Sequence, residues 1–206
     1  MSLRLASGDI SLEATWDLPA DPHFAAVLCH PHPLQRGTMT APLMQAVARD
    51  LCMRGFVVLR FNFRGVGAST GSHDFGVGEV DDVSAAMDVA AATYPSLPLG
   101  IAGWSFGAAT ALRFQAKTGS GHPYVGISPP VNREGSPALP ARHELSPAHR
   151  TFVLGDRDQF VGVDELSEYA GRIGARLEVL NGSDHFFYFR EDRVSAVVAD
   201  GLTAGE

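Results

Sequence analysis

The stretch LPLGIAGWSFGAATALRFQAK, residues 97–117, decides the fold of this 206-residue chain. Its beginning, Leu97–Trp104, is almost entirely apolar, which is typical of a strand buried on both faces. Its end, Phe106–Lys117, is rich in alanine and predicts a helix. Between them, GWSFG at 103–107 matches G-x-S-x-G, the pattern that places a nucleophilic serine on a tight strand-to-helix turn. We therefore interpret Ser105 as a nucleophile; the alternative is that it only caps the helix.

The two glycines of this motif have a steric reason. At so tight a turn, side chains two residues before and two residues after the serine would collide, so both positions require hydrogen. A second match, GASTG at 67–71, lacks the necessary context. Its serine, Ser69, lies several residues beyond an apolar run, and Ser72-His73-Asp74 follows it instead of a helix. We interpret Ser69 as a turn residue.

Outward from this stretch, apolar runs alternate with helical patterns. Further strands are predicted at Phe24–Cys29, Phe56–Phe63, Tyr124–Ile127, Thr151–Leu154 and Leu177–Leu180, with a hairpin in Leu3–Asp17 that turns at Gly8-Asp9. Further helices are predicted from Thr40-Ala41-Pro42 to a stop at Gly55, and at Val80–Tyr94, Val163–Ile173 and Phe186–Leu202. The alternation predicts a single α/β domain over residues 1–206 with a mostly parallel sheet. The Pro- and Gly-rich segment Ser128–Arg150 has no clear period and is expected to lie irregularly over one end of the sheet.

Composition excludes several classes of function. The chain has 16 Lys and Arg against 23 Asp and Glu, a formal net charge of −7, which disfavours nucleic-acid binding. No apolar run is long enough to span a membrane, and the N-terminus lacks the apolar core of a secretory signal. The two cysteines lie in apolar stretches, so a disulfide framework is not expected and a cytoplasmic location is favoured. The expected partner is a small-molecule substrate, and the sequence leaves the oligomeric state open.

A serine nucleophile needs a base, and the base needs an orienting acid. Both are expected on loops at the carboxyl ends of strands, in the chain order serine, acid, histidine. His185 follows the strand Leu177–Leu180 and is the predicted base. The acid comes from the loop after Thr151–Leu154, where Asp158 is favoured and Asp156 is the alternative.

The oxyanion of an acyl-transfer intermediate needs backbone N–H donors. One is expected at Phe106, directly after the serine, and the other in the HPHPL loop at 30–34. Proline has no N–H, so only the two histidines and the leucine of that loop can donate. We favour His32, with Leu34 as the alternative.

Cofactor readings of the same residues are weak. His30 and His32 form an H-x-H pair with no further partner at metal-ligand spacing, so no metal is expected. Gly65-Val66-Gly67 is not followed by a third glycine at the spacing of a dinucleotide fingerprint, and no helix is predicted to begin there. The predicted chemistry uses no cofactor.

Taken together, these residues resemble the α/β-hydrolase superfamily over nearly the whole chain, and within it a small, lidless bacterial group. The resembling segments are CHPHPL at 29–34, GTM at 37–39, LRFNFRGVGAS at 59–69, GE at 78–79, GWSFG at 103–107 and DHFF at 184–187. The resemblance implies a twisted, mostly parallel sheet of eight strands, with the second antiparallel and helices on both faces. It also implies the roles assigned above to Ser105, Asp158, His185 and the amides at His32 and Phe106.

The predicted function is a serine hydrolase that works through an acyl-enzyme. Short esters or thioesters are the favoured substrates, because a site without a lid buries little apolar area. The alternatives are an amide hydrolase or peptidase with the same triad, and a catalytically silent binding protein of the same fold. One departure from the group is Arg36-Gly37, where its loop usually reads Gly-Gly; a cation there points to an anionic substrate.

Overall fold

One eight-stranded sheet runs through the computed structural model, which describes residues 1–131 and 133–204. The strands are β1 (Ser2–Ser7), β2 (Ile10–Asp17), β3 (Phe24–Cys29), β4 (Phe56–Phe61), β5 (Leu99–Trp104), β6 (Tyr124–Ile127), β7 (Arg150–Gly155) and β8 (Arg176–Leu180). They lie in the order β1-β2-β4-β3-β5-β6-β7-β8. β2 is antiparallel to both β1 and β4, and the strands from β4 to β8 are mutually parallel. The predicted α/β-hydrolase architecture is confirmed.

Helices cover both faces of this sheet, which explains why the central strands are apolar throughout. The helices are α1 (Pro42–Met53), α2 (Gly78–Thr93), α3 (Phe106–Thr118), α4 (Val163–Ile173) and α5 (Glu191–Leu202). Along β3, Ala25 and Val27 pack in the core shared with α2, α3 and α4, whereas Ala26 and Leu28 pack in the core shared with α1 and α5. This alternation is the two-residue period of a strand with a hydrophobic layer on each side.

The last helix begins later than predicted. The sequence pattern starts it at Phe186, but α5 begins at Glu191. Asp184 accepts hydrogen bonds from the N–H groups of Phe186 and Phe187, and Phe187 and Phe189 adopt positive φ. These hydrogen bonds and positive φ angles fold residues 184–190 into turns, so a helix cannot begin before them.

Three further boundaries differ from the prediction by two residues: β4 ends at Phe61, β5 begins at Leu99 and α2 begins at Gly78. The hairpin turn at Gly8-Asp9 and the start of α1 at Pro42 are as predicted. Between Ser128 and Arg150, the described residues form one short 3-10 turn, Arg142–Glu144, and otherwise have no regular structure; residue 132 lies outside the described residues. Within the described ranges, no helix combines the length and apolar character needed to cross a membrane.

Candidate active site

Ser105 lies on a sharp turn between β5 and α3. Its backbone has φ 54° and ψ −118°, a conformation that costs energy for any residue with a side chain. A Cβ atom on Gly103 would lie 2.5 Å from the carbonyl carbon of Gly107, and one on Gly107 would meet the backbone oxygens of Cys29 and His30. Both glycines of the motif are therefore required by close backbone contacts.

His185 lies on the loop after β8 and is 6% exposed. Its Nδ1 is 2.8 Å from Oδ2 of Asp158. The backbone of His185 is also fixed, because its carbonyl accepts a 3.2 Å hydrogen bond from the indole Nε1–H of Trp104. His185 is thus bound through its imidazole to the loop after β7, and through its carbonyl to the residue before Ser105.

Asp158 makes three polar contacts that orient its carboxylate. While Oδ2 faces His185, Oδ1 accepts from the N–H groups of Phe160 at 2.8 Å and Val161 at 3.0 Å. Burial raises the pKa of Asp158, but the hydrogen bond and charge of His185 and the Phe160 N–H outweigh it, so the pKa lies below its usual value. The alternative acid, Asp156, instead accepts from the N–H of Gly182 at 2.6 Å. The structure brings Asp158, and not Asp156, to His185.

Ser105 and His185 line one cavity of about 560 Å³. The ring of Phe160 meets the imidazole of His185 edge-on at a centroid distance of 4.9 Å, and Phe186 and Trp104 pack around the same imidazole. The apolar walls and few polar groups are typical of a small-molecule site.

The loop after β3 forms another wall of this cavity. The N–H of Leu34 donates to Nδ1 of His32 at 3.2 Å, and Nε2 of His32 lies 2.9 Å from the carbonyl oxygen of Gly135. His32 is therefore a neutral ring protonated on Nε2, and burial lowers its pKa, only partly offset by the Gly135 carbonyl. Among the described residues, no carbonyl accepts from the backbone N–H of His32 or Phe106.

His30 holds this loop against the sheet, a role that the sequence did not indicate. The side chain is fully buried; Nδ1 lies 2.6 Å from the carbonyl oxygen of Pro31, and Nε2 accepts from the N–H of Phe63 at 3.0 Å. Burial lowers the pKa of His30 to about 4. A neutral histidine here links the ends of β3 and β4. In the part of the chain that the structure describes, no three His, Cys, Asp or Glu side chains group to hold a metal ion.

A buried acidic residue, Glu79, supports the site from behind. It is 0% exposed and accepts from the N–H groups of Asp74 at 2.9 Å and Gly76 at 2.8 Å. Its Oε1 also lies 2.7 Å from Nδ1 of His73. The His73 ring packs on the rings of His32 and Phe106, with centroid distances of 5.1 and 5.4 Å. Neither Glu79 nor His73 was a sequence candidate; the only signal was that Glu79 belongs to GE at 78–79, one of the segments that carry the family resemblance.

Ser69, the serine of the second motif, has its hydroxyl committed to the backbone. It donates to the carbonyl of Asn62 at 2.7 Å and accepts from the N–H of Glu13 at 2.9 Å. A wider groove of about 1100 Å³, lined by Trp16, Cys52 and Arg60 among others, contains none of the predicted site residues. The cavity at Ser105 is the candidate site.

Comparison with known proteins identifies the family of this chain and similar folds. Residues 36–196 match the family described as the alpha/beta hydrolase domain. The chain is similar to the uncharacterized protein RP471 of Rickettsia prowazekii (strain Madrid E), with 33% identity over 190 residues, 86% of this chain and 77% of that protein.

Two solved structures have similar folds. An alpha-beta serine hydrolase homologue from Coxiella burnetii superposes with a TM-score of 0.86 and 28% identity, covering 98% of this chain and 97% of the other. A serine hydrolase without a lid from Xanthomonas campestris gives a TM-score of 0.84 and 31% identity, covering 100% and 96%.

Proposed function

Since the chain belongs to the alpha/beta hydrolase domain family, we propose that it is a serine hydrolase that cleaves short esters or thioesters through an acyl-enzyme. The observation that carries this proposal is the shared cavity: Ser105, on a strained turn, lines it together with His185, whose imidazole is bound to a buried carboxylate. A binding protein would have no need for this combination, which stores backbone strain at one serine.

In this proposal, Asp158 fixes the tautomer of His185. The carboxylate accepts the proton on Nδ1, so Nε2 keeps its lone pair and takes the proton of Ser105 as its oxygen attacks the ester carbonyl. The imidazolium that forms is stabilised by the ionised carboxylate, and its proton then goes to the leaving group. Water attacks the acyl-enzyme by the same route, and Ser105 recovers its proton from His185.

The backbone N–H groups of His32 and Phe106 are the proposed oxyanion donors. Both are without an acceptor among the described residues, whereas the N–H of Leu34 already donates to the His32 ring. The imidazole bond to Gly135 and the ring packing of His73 hold the two donors in place before substrate arrives. Donors fixed in advance stabilise charge without reorganisation in the transition state.

Short substrates are proposed because of the size of the cavity. A volume of about 560 Å³ is in the lower part of the usual range for small-molecule sites, roughly 300–1,000 Å³. Its aromatic walls at Trp104, Phe160 and Phe186 suit a small acyl group or an aryl leaving group.

Labelling with a fluorophosphonate probe tests the nucleophile. We expect rapid labelling of the unmodified protein, complete loss in Ser105→Ala, and full labelling in Ser69→Ala. Ser69 is the matched control because it lies in the same sequence pattern. Labelling that survives in Ser105→Ala, or an unlabelled folded protein, would overturn the assignment.

The leaving group is tested with matched substrates, phenyl acetate and acetanilide. A triad aligned for esters should hydrolyse the phenyl ester at least about 10³ times faster, a difference of about 4 kcal/mol in activation free energy. Equal rates would favour the amide hydrolase instead.

A further inference from the structure

Two arginines face the cavity, and from their placement we infer that the preferred substrates carry a carboxylate or another anionic group; this inference rests on the proposed hydrolase function. Arg36 lies in the loop after β3, and Arg133 in the irregular segment after β6. Both line the cavity that holds Ser105 and His185.

Neither arginine is neutralised within the described part of the chain. No ion pair there includes Arg36 or Arg133, whereas six arginines elsewhere in the described chain, such as Arg64 with Asp82, do form one. One carboxylate, Glu134, also lines the cavity, but it lies beyond 4 Å from both guanidinium groups. The rim of the cavity is thus net positive on a chain whose net charge is −7.

The position of Arg133 relates this charge to the reacting groups. Its guanidinium carbon lies 5.0 Å from the centre of the Phe160 ring, which is 4.9 Å from the centre of the His185 imidazole. The guanidinium is therefore at most about 10 Å from the imidazole. A short acyl chain that ends in a carboxylate can reach from the scissile carbonyl toward such a cation.

The backbone of Arg36 gives an independent reason. Arg36 adopts φ 64° and ψ 21°, a left-handed conformation that glycine adopts freely and that costs other residues roughly 1–2 kcal/mol. An arginine at this position places a cation at the cavity, although its backbone conformation is strained. Strain of this kind is commonest where the side chain has a function.

A carboxylate is the anion that suits these groups. Guanidinium presents paired N–H donors that match the two carboxylate oxygens, and charge-assisted bonds of this type are stronger than neutral ones. The charged group could belong to the acyl part or to the leaving group of the ester, and the reaction at the carbonyl is the same ordinary hydrolysis in both cases.

Two pairs of substrates distinguish these arrangements. The acyl pair is phenyl hydrogen glutarate against methyl phenyl glutarate; the leaving-group pair is 4-acetoxybenzoate against its methyl ester. In each pair one carboxylate is replaced by a neutral ester group far from the scissile bond. We expect the anionic member of at least one pair to show a kcat/KM about tenfold higher than its neutral partner.

The variants are Arg36→Gly and Arg133→Gln, with Arg172→Gln as the matched control. Arg36→Gly removes the cation and relieves the backbone, so the protein should fold at least as well as before. Arg172 also lies over an aromatic ring, that of Tyr169, but on the exposed face of α4 away from the cavity. We expect the anionic-to-neutral ratio of kcat/KM to fall about tenfold in each cavity variant, mainly through KM, and to stay unchanged in Arg172→Gln.

The outcomes separate this inference from the proposed function. If the protein is labelled by fluorophosphonate and hydrolyses neutral esters as fast as anionic ones, the inference is wrong and the hydrolase proposal stands. A preference for anions that persists in both cavity variants also overturns it. If the folded protein is unlabelled and hydrolyses none of the four esters, both proposals fail.

Discussion

Replacing Asp158 by asparagine should reverse the tautomer of His185 without changing the shape of the site. Oδ1 of Asp158 accepts from two backbone N–H groups, so the carbonyl oxygen of an asparagine would take that position and its NH₂ group would face Nδ1 of His185. An NH₂ group can only donate, which leaves Nδ1 without a proton and puts the proton on Nε2. In that tautomer, His185 cannot take the proton of Ser105.

We expect a loss of about 10⁴ in kcat/KM for phenyl acetate in Asp158→Asn, equivalent to about 5 kcal/mol of transition-state stabilisation. The control is Asp156→Asn, two residues away in the same loop and with the same change of charge. Its side-chain oxygen can still accept from the N–H of Gly182, so the loss should be less than about tenfold. Initial rates over a pH series, with circular dichroism as a check on folding, measure both. Equal losses in the two variants would contradict the assignment of the acid.

Three other predictions concern stability and the support of the site. The unfolded chain protonates His30 below about pH 6.5, but the folded chain does so only below about pH 4. Acidification from pH 7.5 to pH 4 should therefore lower the unfolding free energy by about 3 kcal/mol through His30, a loss that His30→Gln does not show. Urea unfolding at both pH values measures this difference, and equal losses in the two proteins would refute the prediction. Glu79→Ala leaves two backbone N–H groups without their acceptor, so the unfolding free energy should fall by about 3 kcal/mol. We also expect kcat to fall about tenfold at unchanged KM, and to be partly restored in Glu79→Gln. A change in stability without a change in kcat would limit Glu79 to a structural role. Gly103→Ala should destabilise the fold by about 3 kcal/mol, because its Cβ would meet the backbone of α3. Gly171→Ala lies on an open helix face and should stabilise the fold by about 0.5–1 kcal/mol. Thermal unfolding compares the two variants, and similar effects at both sites would contradict the steric argument.

Local patterns were sufficient for most of the fold. Apolar runs bounded by turn residues located the strands, because a strand buried on both faces needs such a run whatever its neighbours are. The start of the last helix was wrong because the side chain of Asp184 competes with helical hydrogen bonds, and the positive φ values of Phe187 and Phe189 leave no mark in hydrophobic periodicity.

The residues that support the site were not predictable in the same way. His30 was considered as a metal ligand and as a possible N–H donor, yet its ring bonds Pro31 and Phe63, which follow the ends of two strands that are distant in sequence. Glu79 contacts His73, whose ring packs on His32 in the loop after β3. Such contacts depend on how the loops of different strands meet, and no local spacing encodes them.

The sequence by itself determined the strand-turn-helix around Ser105, because two glycines at fixed spacing satisfy a steric requirement that is local to the turn. It also determined which loops could contribute an acid and a base, since parallel strands bring their carboxyl ends to one edge. Only the tertiary structure decided which aspartate meets His185, because Asp156 and Asp158 lie on the same loop and differ only in direction. It alone placed Arg36 and Arg133 at one cavity, because their loops are far apart in the chain and meet only when the sheet is assembled.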